Sequence, residues 1–243
     1  MTGFLSSYPL VEAVCVTAAF GILARALGTV TGSGFVGGVV VGSAIYYCAG
    51  WRGFVVLGVF FALGSALTRL GYRRKNELGA AQADSGRRGA RHAAANCAAG
   101  VLLALGYKLT GGDPVWAAGF VASFATAAAD TAGSEIGPLC GSNTVLAASF
   151  EKVPPGTSGA VSLEGTAAGI VAALVVAAAA LAVGLLSHPE LVLLVVVASA
   201  VAAWAESILG GIAGVERRLG NEGMNLINTT VGALLCMAMT AMR

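Results

Sequence analysis

Charge is scarce in this chain. Asp, Glu, Lys and Arg make up 11% of its residues against 57% apolar ones, and mean hydropathy is +0.82. A soluble domain carries charge on about a quarter of its residues, so a soluble globular protein is excluded and a polytopic membrane protein is implied. Patterned cysteine is also absent. Cys15, Cys48, Cys97, Cys140 and Cys236 are scattered singly, with no metal-ligand spacing and no disulfide framework, and read as small packing residues; Cys140 stands apart in a polar, Gly-rich loop. No basic stretch precedes the first apolar run, which continues from Tyr8 well beyond a short signal core, so the first segment is expected to stay in the mature protein. The pattern GxxxxGK[ST] does not occur, which leaves a P-loop ATPase unsupported. No connection is long enough for a soluble domain, and no nucleic-acid partner is expected.

What is present is a series of apolar stretches near 8–27, 34–49, 52–70, 93–110, 115–136, 161–186, 190–211 and 225–242. Several approach the roughly 20 residues that cross a bilayer. The expectation is an all-α, polytopic helical bundle of about eight (7–9) transmembrane helices, one membrane domain over 1–243. Seven of the 14 Lys and Arg fall between Arg69 and Arg91, namely Arg69, Arg73, Arg74, Lys75, Arg87, Arg88 and Arg91. Such a block belongs on the cytoplasmic side and either orients the protein or binds phosphate. That anchor puts the loops 71–91, 137–160 and 212–224 on one cytoplasmic face, where Lys152, Arg217 and Arg218 fit. The opposite connections, Gly111-Gly112-Asp113-Pro114 and Ser187-His188-Pro189, are minimal turns with proline entering the next helix. Most of the 35 glycines, in Gly/Ala-rich spans, read as close helix packing.

Acids inside apolar helices are costly and mark functional sites by default. Asp130 and Glu135 lie in one such helix and Glu206 in another. On a regular helix residues five apart differ by about 140°, so Asp130 shares a face with Ser134 but not with Glu135. A break near Gly133 or Gly137 would bring the two carboxylates together. Hard oxygen ligands of this kind suit magnesium, held by a few carboxylates plus substrate phosphates. The competing reading is that these acids pair with basic residues and hold the bundle. Downstream, Lys152-Val153-Pro154-Pro155-Gly156-Thr157-Ser158-Gly159 leads to Ser162-Leu163-Glu164-Gly165-Thr166 at a helix start. Freed backbone donors, two hydroxyls and a helix N-terminus suit phosphate, although such a loop on spacing alone is equally a turn.

Several ordered segments carry a resemblance: Arg87-Arg88-Gly89-Ala90-Arg91 running to Asn96, Ala129 through Gly137, the Val153–Gly159 loop with Ser162 and Gly165-Thr166, and Asn225-Leu226-Ile227-Asn228 after Glu206. Together they resemble the integral-membrane family that includes the plant phytyl-phosphate kinase, and more distantly phytol and dolichol kinases and membrane CTP transferases. The likeness covers a core of 71–235 and leaves 1–70 as more variable N-terminal helices. Where relatives tend to carry Asp-Ser, this chain has Glu206-Ser207, and Cys97 stands where Gly commonly follows the Asn.

The resemblance implies a CTP-dependent kinase that phosphorylates an isoprenoid monophosphate at the cytoplasmic face of a prokaryotic plasma membrane. Asp130, Glu135 and Glu206 would hold Mg2+. Lys152, Arg88 and Arg91 would join Asp130 and Glu135 in the catalytic set by neutralising developing charge. Asn96, Ser134, Gly156, Thr157, Ser158, Gly159, Ser162, Glu164, Thr166, Asn225 and Asn228 would line the nucleotide and acceptor sites. The isoprenoid tail would lie between Ala/Gly-rich helices, and Gly-rich faces permit a homodimer. A prenyl alcohol kinase or a lipid cytidylyltransferase would use the same groups. A transporter would instead distribute its acids in depth.

Overall fold

The computed structural model describes residues 9–79, 81–82, 84–212 and 215–243; the side chains of Glu216 and Arg217 lie outside that description, as does the expected loop role of Arg217. Among the described residues are eight helices: α1 (Pro9–Ala26), α2 (Gly32–Arg69), α3 (Tyr72–Glu77), α4 (Ala90–Leu109), α5 (Pro114–Cys140), α6 (Leu163–Ala182), α7 (Pro189–Gly210) and α8 (Val215–Ala241). A two-stranded antiparallel ladder, β1 (Val145–Leu146) with β2 (Ala160–Val161), ties down the long α5–α6 connection, with Val145 opposite Val161.

The chain encodes several of these boundaries locally. Thr31 and Ser162 cap α2 and α6 through side chains that accept from the amides of Gly34 and Gly165, and Asp113 caps α5 ahead of Pro114. Each satisfies an otherwise orphaned amide at a helix start. Gly50, at φ 66° and ψ −168°, breaks α2 where a side chain would be strained. The two halves fold back on each other: Gly34 and Gly64 both pack on Arg88, and Phe54 of the returning half reaches Gly42 of the outgoing one.

The expected membrane count is corrected. By length and composition five helices are fit to cross a bilayer: α1, α2, α6, α7 and the stretch of α8 from Arg218 to Ala241. The stretches 34–49 and 52–70 form one element, α2. α4 and α5 fall short of the required apolarity, for different reasons. α4 carries Arg91, His92, Asn96 and Lys108. α5 is ringed by protein, since every residue from Ala117 to Ala129 is buried, and a helix with no lipid face has no need of a lipid-soluble one.

Close glycine contacts build the shell around α5. A Cβ on Gly106 would fall 2.0 Å from the Trp116 ring, and one on Gly232 would fall 2.1 Å from Thr126 Oγ1. These are packing glycines, as expected from the composition. Phe60, Phe120 and Phe124 form the aromatic centre of the same core.

Candidate active site

At one end of the bundle α5, α6, α7 and α8 surround a cavity of about 320 Å³. Asp130 enters from α5 immediately after the fully buried run, and Glu206 from the last turn and a half of α7. Their carboxyls are within hydrogen-bonding reach of each other. Two carboxyls so placed hold either a shared proton or a cation between them. Asn228 of α8 donates its amide to Glu206, and its own Oδ1 is buried without a hydrogen-bond partner. An orphaned carbonyl oxygen behind two carboxyls is an oxygen-rich set, the chemistry that magnesium takes. No group of three or more His, Cys, Asp or Glu is placed to hold a metal among the described residues.

Another part of the lining has a different character. The Pro155–Ser162 segment and the N-terminus of α6, with Gly165 and Thr166, line the same cavity as the carboxyl pair. Ser158 Oγ donates to the Gly210 carbonyl (2.9 Å), fastening the loop to the end of α7. Gly159 makes this approach possible, because at φ 74° a Cβ there would lie 2.3 Å from the Gly211 nitrogen. Thr157 Oγ1 donates to the Pro154 carbonyl and tightens the turn (2.7 Å). A helix N-terminus brings partial positive charge, although the Gly165 and Thr166 amides are themselves taken by Ser162, so one cavity joins two acids to the positive end of a helix dipole.

The expected site residues divide. Asp130, Ser134, Gly156, Thr157, Ser158, Gly159, Ser162, Thr166 and Glu206 line the cavity. Glu135 does not. α5 runs unbroken through Gly133 and Gly137, so Glu135 points to another side and forms a fully buried ion pair with Lys75 of α3. Lys75 also donates to the carbonyls of Leu67 and Thr68, at 3.0 Å each. This is the bundle-holding arrangement that competed with metal binding in the sequence.

Arg88 is likewise buried away from the cavity, its guanidinium against Gly64 and 5.4 Å from the Phe60 ring centre, while its backbone pairs with Thr29 and Thr31. Burial pulls its pKa down to about 10, which leaves it charged at neutral pH. Arg91 and Lys152 are exposed and outside the lining. Asn96 donates to the His92 carbonyl, Asn225 is buried outside the lining, and Glu164 accepts from Ser142. Lining residues that the sequence reading passed over include Thr144, Ile170, Trp204, Ser207, Asn221 and Met224. Asn221 had a signal: with Asn225 and Asn228 it keeps a spacing of four and seven, one face of a helix.

Residues 15–233 match the family described as integral membrane protein DUF92. This chain belongs to that family. The chain is 38% identical to the uncharacterized membrane protein sll0875 of Synechocystis over 208 residues, covering 83% of this chain and 79% of that one. To protein VTE6, chloroplastic, of Arabidopsis thaliana it is 35% identical over 214 residues, 85% of this chain and 64% of that protein. A third relative, the uncharacterized membrane protein MJ0933 of Methanocaldococcus jannaschii, is 30% identical over 203 residues, with 83% and 82% covered. No solved structure matches.

Proposed function

We propose that this protein is a phosphotransferase that moves the γ-phosphoryl group of CTP to an isoprenoid monophosphate, forming the diphosphate at the cytoplasmic face of the membrane. The observation that carries the reading is the meeting of Asp130 and Glu206, 76 positions apart in sequence, in a cavity that the α6 N-terminus also lines. Acids together with the positive end of a helix dipole suit a phosphate bound through a divalent cation. Magnesium, held by Asp130 and Glu206 with Asn228 close behind, would neutralise phosphate oxygens. Ser162, Thr166 and the Gly156–Gly159 backbone orient the phosphates by donating to them, and Asn228 fixes the Glu206 carboxyl. Glu135 acts at a distance by locking α5 to α3 through Lys75, which sets the position of Asp130 one turn earlier.

An acceptor phosphate is already anionic near neutral pH, so the chain needs no strong general base; the fully buried Lys75–Glu135 pair is not called on for one. The choice of CTP and of an isoprenoid rests on the family resemblance in the Asp130–Gly137 and Val153–Thr166 segments. The test is purified protein with each of the four nucleoside triphosphates, magnesium and a panel of prenyl alcohols and monophosphates. CDP with a prenyl diphosphate is the expected product pair. A CDP-lipid with released diphosphate would make the protein a cytidylyltransferase, and no turnover with any acceptor would overturn the assignment.

A further inference from the structure

Part of the cavity lining is apolar. Gly169 and Ile170 of α6 and Ala200, Ala203 and Trp204 of α7 line this part, and none carries charge. Ile170 lines the cavity and is 42% exposed, and the next residue of α6, Val171, is 58% exposed, so the apolar lining and the exposed side of α6 meet at this turn. Both helices reach a mean hydropathy of 2.2, the highest of the five spanning helices, and Val171 and Val201 stand exposed on them. Such a face is at home in hydrocarbon and not in water.

We infer that the slot between α6 and α7 is a lateral channel for the single isoprenoid chain of the acceptor, whose phosphate sits at the Asp130–Glu206 end; this rests on the function proposed above and specifies how its lipid substrate is held. Three observations converge on it. At about 320 Å³ the cavity is near the lower end of ligand pockets, roughly 300–1,000 Å³, too small to enclose a nucleotide's phosphates and a long chain, so the chain has to leave. The α7 side of the slot is lined by small residues, Ala200 and Ala203, while Gly169 seats α6 closely against α5, where an added Cβ would lie 2.9 Å from the Ala129 carbonyl oxygen. Depth is right as well. Trp204 packs with Phe150 of the β1–β2 connection, ring centres 6.4 Å apart, an aromatic pair of the kind that sits at the headgroup level. Glu206 is two residues further toward the loops, about 3 Å along the helix axis, so the phosphate end falls at the interface and the slot in hydrocarbon.

The experiment uses the full-length protein in phospholipid nanodiscs with a photoreactive geranylgeranyl monophosphate bearing a diazirine near the end of its chain. Cross-links are expected on Ile170, Ala200 or neighbouring α6 and α7 residues, and to be competed by unlabelled geranylgeranyl monophosphate. Cross-links confined to other helices, or not competed, overturn the slot. A kinetic arm compares Ala200→Phe with wild type on geranylgeranyl and dimethylallyl monophosphates. The bulky ring should lower kcat/KM for the long acceptor about tenfold more than for the short one. Equal loss on both acceptors, with the variant eluting and melting as wild type does, speaks against the slot. Cross-linking on α6 and α7 in a protein that turns over no acceptor would leave the slot standing and remove the kinase reading, so the two failures are distinguishable.

Discussion

Glu135 separates the two readings of the intramembrane acids, and its pairing with Lys75 sets the size of the expected effects. Lys75 is fully buried and gives its three protons to Glu135 and the carbonyls of Leu67 and Thr68. Removing either partner strands the other charge in the interior, which costs about 3–5 kcal/mol. Lys75→Met should be the more damaging change, because it leaves the carboxylate and two carbonyls unpaired, whereas Glu135→Leu leaves the ammonium on its two carbonyls. At roughly 2–4 °C per kcal/mol for a chain of this size, each single variant should melt about 6–20 °C below wild type. The double variant Lys75→Met/Glu135→Leu should recover most of that loss, since apolar replacements of a whole buried pair are often near neutral. The assay is thermal unfolding in detergent at a fixed scan rate, analysed as a double-mutant cycle. Singles within a degree or two of wild type would refute the buried pair. So would Glu135→Gln if it abolished turnover at an unchanged melting temperature and raised magnesium restored it, for then Glu135 would be a metal ligand.

Asp130→Asn and Glu206→Gln should each lower turnover by about 100-fold or more without lowering the melting temperature, because they remove charge from a carboxyl pair and open no cavity. Magnesium should raise the wild-type melting temperature and not that of either variant, and an equal rise in all three would remove the pair as the metal site. Gly159→Ala, which puts a Cβ 2.3 Å from the Gly211 nitrogen at φ 74°, should cost about 1–2 kcal/mol and weaken nucleotide affinity, read by melting and by KM for CTP. Arg88→Gln should destabilise the fold, whereas exposed Lys152→Gln should leave the melting temperature within about 1 °C and reduce kcat/KM only a few-fold, as expected of a screened surface charge. A loss near 100-fold at Lys152 would mean that its loop closes onto the phosphates.

Part of the cavity lining was legible because its patterns are local in sequence. Asp130 with Ser134, the Gly156–Gly159 turn and Ser162 capping a helix are short patterns with a physical meaning of their own, and all of them line the cavity. Partners were not legible. The Asp130–Glu206 contact and the Lys75–Glu135 pair join helices 76 and 60 positions apart, and nothing in an apolar stretch says which neighbour its acid will meet. The 140° between Asp130 and Glu135 did carry the answer: an unbroken helix must send the two acids to different partners, and α5 is unbroken.

The membrane count went astray for a related reason. Hydropathy measures what a helix offers to lipid, so it is silent on a helix that meets only protein. α5 buries every residue from Ala117 to Ala129, a run built from Ala, Gly, Ser, Thr and Phe with one Val, a composition set by close packing. The break expected between 49 and 52 does fall at Gly50, yet the element on either side remains one backbone turned on itself around Arg88. The same central position explains why Asp130 is tolerated. An acid on a lipid-facing helix would have to be neutralised, but Asp130 on α5 enters a cavity that Glu206 and the start of α6 also line. Low hydropathy in α5 and the placement of Asp130 therefore have one cause: the helix that carries Asp130 is the one the other helices surround.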